Sequence, residues 1–228
     1  MHDRGAVADL FVRIAADRRE ALTRAIALSV KRSGDVVVAA ILLLLALPVL
    51  LTITVLIRNS GPGGVFYGHA RVGRGGRSFR CLKFRTMHQD GDQRLAQLLA
   101  TDPASAAEWS RTRKLDRDPR VSGVGSLLRK TSLDELPQLI NVLRGEMSLV
   151  GPRPITPDEL SRYGTSARHY LGVTPGVTGL WQVSGRNNLT YAERVRLDAA
   201  YARQWTLGRD LRILLRTPFA VLLRQGAR

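Results

Sequence analysis

Two adjacent carboxylates, Asp134 and Glu135, sit in the run KTSLDELPQL (130–139), directly behind Arg129 and Lys130. In a chain with 35 Lys and Arg against 19 Asp and Glu, acids placed there call for a reason. Helix capping is one. Ser132-x-x-Glu135 is a capping box, in which hydroxyl and carboxylate satisfy the unpaired backbone N–H groups of a helix start. Leu136, Leu139, Ile140 and Leu143 then form its buried stripe. Pro137 argues against it, because a cap at Ser132 puts the proline at the fifth helical position, where an N–H should bond back to Leu133. A helix that starts later leaves both carboxylates for chemistry.

The formal net charge of +16 demands an anionic partner: nucleic acid, anionic lipid head groups or phosphorylated small molecules. The lone Cys81 excludes an intramolecular disulfide and any Cys-rich zinc site, and reads as a small core residue. His2, His69, His88 and His169 lack metal-ligand spacing and receive no role. With 228 residues the chain can bury a real core, as one catalytic or binding domain with appendages.

The elements that must position the acids begin with a membrane segment. Val36 to Ile57 reads VVVAAILLLLALPVLLTITVLI without a charge, long enough to cross a bilayer. Basic residues crowd both sides: Arg18, Arg19, Arg24, Lys31 and Arg32 before it, and Arg58, Arg71, Arg74, Arg77, Arg80, Lys83 and Arg85 after it. A single span cannot keep both flanks on the cytoplasmic side. Pro48 removes the bond to the Leu44 carbonyl and permits a bend, so a re-entrant helix that enters and leaves on one face reconciles the observations. An ordinary single span is the competing reading. Asp35 pairs with Lys31 or Arg32, or more simply is solvated.

Residues 1–30 read as an amphipathic arm on an anionic membrane surface or against a partner, with Leu10, Phe11, Ile14, Leu22, Ile26 and Leu28 among arginines. NSGPGG (59–64) is a turn, and strand-like pieces over 65–84 flank a hairpin turn at Gly73–Gly76. A helix is expected over 90–117, another from near Asp134 to a stop at Arg144-Gly145, an extended stretch at VGPRP (150–154), and helices over 188–205 and 208–224. The last is basic and apolar and suits a membrane surface.

KFRTM (83–87), TSLDELPQLINVLRGEMSLVGPRP (131–154) and PGVTGLWQVSGRN (175–187) follow the hydrophobic helix in this order. Together they strongly resemble the bacterial sugar transferase family, the monotopic polyprenyl-phosphate phosphoglycosyl transferases, over roughly residues 31–224. GLWQVSGRN is similar to members that transfer galactose 1-phosphate onto undecaprenyl phosphate. Many members carry Ser-Pro at the helix break, whereas here Leu47 precedes Pro48.

The resemblance implies an α+β, mostly helical fold: a monotopic membrane domain with a re-entrant, Pro-broken helix, short strands and amphipathic surface helices. Its parts are an arm (1–30), the membrane helix (31–58) and a catalytic domain (59–228) on the cytoplasmic face of the bacterial inner membrane. Asp134 matches the nucleophile that takes a sugar phosphate from a UDP-sugar, releases UMP and passes the group to polyprenyl phosphate. Glu135 assists deprotonation of the acceptor or helps to hold a metal. A carboxylate attacking phosphorus forms an acyl phosphate and needs the phosphate charge neutralised. Arg129, Arg153 and Arg186, with Lys83 and Arg85, are the candidate phosphate contacts, because guanidinium forks match phosphate oxygens. Mg2+ is the expected cofactor, held by Asp134 and Asp198, although Asp198 also stands four residues after Arg194 and fits a helical ion pair. UDP-sugar, polyprenyl phosphate and membrane lipids are the expected partners, with room for a homodimer and no nucleic acid. The rival reading, a membrane-anchored basic polyanion-binding or assembly scaffold protein, explains the charge but not the Asp-Glu pair.

Overall fold

The computed structural model describes residues 4–112, 115–185 and 189–222. Its first element is a helix of 56 residues, α1 (Arg4–Asn59), with Pro48 inside it. The helix passes residue 30 and Pro48 without interruption, so the expected arm and membrane segment share one helix and the expected break is a proline within continuous helical chain. Proline deletes one backbone donor there, and hydroxyls supply bonds beside it: Thr52 Oγ1 donates to the Pro48 carbonyl (2.9 Å) and Thr54 Oγ1 to the Leu50 carbonyl (2.8 Å). α1 is long and apolar enough to cross a membrane, and its leucines point outward, with Leu44 and Leu45 each 71% exposed. A continuous apolar surface of this size marks a contact with a membrane or another apolar partner. α1 packs inward at Ala39, fully buried in the main core with Leu43 beside it, and at its C-terminal end through Ile53 and Ile57 against Phe84 and Leu128.

β1 (Phe66–Val72) and β2 (Ser78–Phe84) form the expected antiparallel hairpin, in a register that sets Tyr67 opposite Lys83 and His69 opposite Cys81. Its turn uses Gly75 and Gly76 at positive φ (68° and 79°), a hairpin turn and not a phosphate loop. The single helix expected over 90–117 is two, α2 (Gly91–Thr101) and α3 (Pro103–Thr112). Pro103 opens α3, and the Asp102 carboxylate accepts from the Ala104 N–H (3.1 Å) and the Ser105 hydroxyl (2.5 Å).

A further helix, α4 (Gly123–Thr131), is started by Ser122, whose Oγ accepts from the Gly125 N–H. After it come a 3-10 turn at Leu133–Glu135 and α5 (Gln138–Arg144), closed by Gly145 at φ 82°. The chain continues through β3 (Ser148–Val150), α6 (Pro157–Leu160), α7 (Ala167–Leu171), β4 (Gly176–Thr178), α8 (Leu180–Val183), α9 (Tyr191–Arg203) and α10 (Leu207–Leu222). β3 and β4 pair in parallel. The main core joins Phe79 and Cys81 of β2 to Leu139 and Val142 of α5, Leu149 and Val150 of β3, Tyr201 of α9 and Ile213 of α10. On its other face α10 exposes Leu207, Leu211, Leu215 and Phe219, four residues apart, the amphipathic stripe expected of a surface-lying helix.

A buried polar network ties α1 to this core. Lys31 Nζ donates to Asp210 Oδ2 (2.6 Å) and to the Val150 carbonyl (3.0 Å), and lies 3.8 Å from Asp35 Oδ2. Asp35 is therefore not solvated: it accepts from the Ser148 hydroxyl (2.7 Å) and the Leu149 N–H (3.2 Å). Asp210 also accepts from Tyr201 Oη (2.7 Å) and Trp205 Nε1 (3.0 Å). Arg32 donates to the Val142 and Leu143 carbonyls at the end of α5 (2.6 and 2.9 Å). α1 is thus fixed to the strand that leads into GPRP and to the helix that follows the acids.

Candidate active site

Ser132 decides how the acids are presented. It ends α4 in the left-handed conformation (φ 57°), and among the described residues no other non-glycine has positive φ. Its side chain caps nothing, so the capping box is not formed. The reversal puts Asp134 and Glu135 in a tight turn, and α5 starts only after Pro137, where a missing N–H is harmless. The turn releases the two carboxylates from helix capping.

Asp134 is 8% exposed, and Glu135 is more open. Lys83 Nζ of β2 donates to Glu135 Oε1 (2.5 Å) and stands 3.8 Å from Asp134 Oδ2. Asn141, fully buried on α5, holds that strand in place: its Oδ1 accepts from the Leu82 N–H (2.9 Å) and its Nδ2 donates to the Arg80 carbonyl (2.8 Å) and to Glu146 Oε2 (2.6 Å). Burial pushes the Asp134 pKa above the usual carboxylate range; Lys83 and Arg129 pull it back and Glu135 adds to the rise.

A small cleft opens beside the dyad, lined by Lys83, Glu135 and Gln138 on one side and by Arg153, Val177 and Gln182 on the other, with His69 and Arg71 at its β1 wall. The second side is set by backbone contact between two of the sequence motifs. A Cβ on Gly176 would lie 2.0 Å from the Gly151 nitrogen, and one on Gly179 would lie 2.1 Å from the Gly151 carbonyl oxygen. Only glycine lets PGVTG and GPRP approach so closely. Arg153 is exposed, with its guanidinium carbon 5.7 Å from the centre of the Trp181 ring.

The structure gathers Glu135, Lys83 and Arg153 around one cleft, with Asp134 buried next to Glu135 and 3.8 Å from Lys83 Nζ. Arg129 stands beside them, exposed, with Nε donating to Thr86 Oγ1 (2.9 Å). Arg85 is elsewhere: its guanidinium donates to the carbonyls of Ile57 (3.3 Å), Gly61 (3.1 Å) and Pro62, so it closes the C-terminal end of α1 and does not face the cleft. Arg186 lies outside the described residues.

Asp198 is buried. At 2% exposure it accepts from Tyr163 Oη (2.8 Å) inside a cluster with Tyr170 and Val195, and burial pushes its pKa up to about 7. Tyr163, then Arg153 through its charge and a backbone hydrogen bond, oppose that rise, so Asp198 adjoins the GPRP turn that carries Arg153. The ion pair with Arg194 is not formed; Arg194 lies over the Trp181 ring (4.8 Å). Among the described residues no group of three or more His, Cys, Asp or Glu is placed to hold a metal. Asp134 with Glu135 still fits magnesium, which commonly takes one or two carboxylates and completes its shell with substrate phosphates and water. Sequence reasoning missed His69, Arg71, Gln138 and Gln182, and only the alternation of β1, which turns residues 69 and 71 to one face, hinted at the first two.

Comparison with known proteins agrees with this geometry. The family described as "Bacterial sugar transferase" matches residues 26–224. The chain belongs to that family. This sugar transferase is 53% identical over 197 residues to "Exopolysaccharide production protein ExoY" of Rhizobium meliloti (strain 1021), covering 86% of this chain and 87% of that protein. It is 50% identical over 197 residues to "Undecaprenyl-phosphate galactose phosphotransferase" of Salmonella typhimurium, where the match covers 86% of this chain but 41% of the relative. With "UDP-glucose:undecaprenyl-phosphate glucose-1-phosphate transferase" of Escherichia coli (strain K12) the identity is 36% over 205 residues, covering 86% and 41%. The transferase thus spans most of ExoY and about two-fifths of the two larger relatives.

Proposed function

We propose that this chain transfers a sugar 1-phosphate from a UDP-sugar to a polyprenyl phosphate, the step that initiates a bacterial polysaccharide. The observation that carries the reading is Asp134, in a turn outside any helix cap and 3.8 Å from Lys83, beside a cleft lined by Glu135, Lys83 and Arg153, in a family whose named relatives make such transfers. An Asp134 oxygen attacks the sugar-bearing phosphorus, the bond to the bridging oxygen breaks, and UMP leaves with that oxygen. A phosphate oxygen of the lipid then attacks the same phosphorus, the carboxylate departs, and sugar-diphospho-polyprenol remains. Lys83 and Arg153 bind and orient the anionic groups, and Lys83, then Arg129, oppose the burial that raises the Asp134 pKa. Magnesium, when bound by Asp134 and Glu135, neutralises phosphate charge. Among sugars, galactose or a similar hexose is favoured by the likeness of GLWQVSGRN to the galactose type.

The lipid acceptor keeps its phosphate at the head-group plane, so the cleft must float there. We assign that task to α1 as a re-entrant helix on the cytoplasmic face of the inner membrane. The support is Pro48, the Thr52 and Thr54 hydroxyls beside it, and basic residues on both flanks. In a variant lacking Cys81, cysteines placed at positions 4 and 61 should both be labelled from the cytoplasmic side; periplasmic labelling of position 4 would refute re-entry and leave the chemistry standing. The activity itself is tested by incubation with undecaprenyl phosphate and a panel of UDP-sugars. UMP release that depends on one or two of the sugars supports the reading, and none from any of them defeats it.

A further inference from the structure

His69 has no role in the reaction as described, yet its ring stands in the cleft with Lys83, Glu135 and Arg153. Its Nδ1 lies 3.0 Å from Arg71 Nη2. A guanidinium offers donors only, so Arg71 donates and Nδ1 is the lone-pair nitrogen. The ring proton of the neutral imidazole is then on Nε2. Arg71 is itself pinned: its Nη1 donates to the Pro154 carbonyl (3.2 Å) and to Glu159 Oε2 (3.3 Å), a strut from β1 to the GPRP turn and α6. The groups facing His69 are Arg71 on its own strand, Lys83 on β2 and Glu159 on α6. Burial, then Arg71, then Lys83 lower its pKa, against a smaller opposing effect of Glu159, so the ring is neutral at pH 7.

We infer that His69 is a neutral hydrogen-bond donor of the substrate site, whose Nε2–H binds a phosphate oxygen of the nucleotide sugar, and that Arg71 is the positioning residue that fixes its tautomer. The inference deepens the transferase reading and rests on it. Lys83 and Arg153 line the same cleft, so an N–H there fits an anionic oxygen, and a neutral donor adds a bond without a further charge to desolvate. In that place His69 orients the diphosphate.

The lipid acceptor also carries a phosphate, so the test separates the two sources by their KM values. In the full-length protein in nanodiscs, His69→Phe should raise KM for the UDP-sugar roughly tenfold or more, the loss expected for a hydrogen bond to a charged group. KM for undecaprenyl phosphate should stay unchanged. His69→Gln, whose amide N–H reaches the same position, should recover most of the loss. Nitrogen NMR of the His69 ring should show a protonated Nε2 and a bare Nδ1 in the neutral form, a preference that Arg71→Met relaxes, and added UDP should shift the Nε2–H signal. Parent-like KM in His69→Phe, a change confined to the lipid KM, or a proton on Nδ1 would overturn the inference. If the parent releases no UMP from any UDP-sugar, the transferase reading fails instead. The tautomer and its response to UDP then still decide what His69 binds.

Discussion

Replacing Lys31 by Met keeps the aliphatic stem and removes the charge that joins the membrane helix to the core. Lys31 is 14% exposed at its side chain, and its partners Asp35 and Asp210 are 9% exposed. Removing one member of a buried ion pair costs about 3–5 kcal/mol, because the partner stays buried without compensation. Here the lower end applies: after the loss Asp210 still accepts from Tyr201 and Trp205, and Asp35 from Ser148 and the Leu149 N–H. A cost of about 3 kcal/mol corresponds to a fall in Tm of roughly 6–12 °C for a chain of this size. Thermal unfolding in nanodiscs, followed by tryptophan fluorescence, reads it directly. Lys31→Met with Asp210→Asn should recover part of the loss, since the second change removes one of the orphaned charges. The Val150 carbonyl also loses its Lys31 donor and keeps the Ser148 and Tyr201 hydroxyls, so the strand leading to Arg153 loses one of three ties and turnover should fall modestly. A drop in Tm under about 2 °C with turnover intact would refute the claim that this network fixes the membrane helix to the active site.

Two predictions concern pH. Burial raises the Asp134 pKa, and a nucleophile must be ionised, so activity should rise with pH along an acid limb above the ordinary carboxylate range; Lys83→Met should move that limb higher still, and an unmoved limb would deny that Lys83 acts on Asp134. Asp198 is raised from 3.8 to about 7, so between those values the unfolded chain releases a proton that the folded one keeps, and stability falls as pH rises, by as much as about 4 kcal/mol. Asp198→Asn, which still accepts from Tyr163, should flatten Tm between pH 4 and 7.5; parallel curves for parent and variant would show that the carboxylate is not held protonated.

The sequence was most legible where chemistry and local geometry share one short stretch. Pro137 alone indicated that the helix after the dyad starts late, and the glycines of GRGGR marked the hairpin turn. It was least legible where a residue's partner is remote. Nothing local distinguishes Arg85 from a phosphate ligand, because the carbonyls that occupy it belong to residues 57, 61 and 62. Asp198 has an arginine one helical turn away, yet bonds to Tyr163, distant in sequence. α4 was missed altogether, since Gly123 and Gly125 weaken any helical signal. Tertiary contact requires one of them: a Cβ on Gly125 would lie 2.0 Å from the Thr86 carbonyl oxygen.

The central claim is that Asp134 carries the sugar phosphate between donor and acceptor. The direct test is to incubate the protein with its UDP-sugar and no polyprenyl phosphate, quench in acid, and analyse the peptide containing Ser132 to Leu136 by mass spectrometry. The account predicts a sugar-phosphate adduct on Asp134, formed with a stoichiometric burst of UMP, discharged by added undecaprenyl phosphate and absent from Asp134→Asn. UMP released only when the lipid acceptor is present, or an adduct on any other residue, would contradict it.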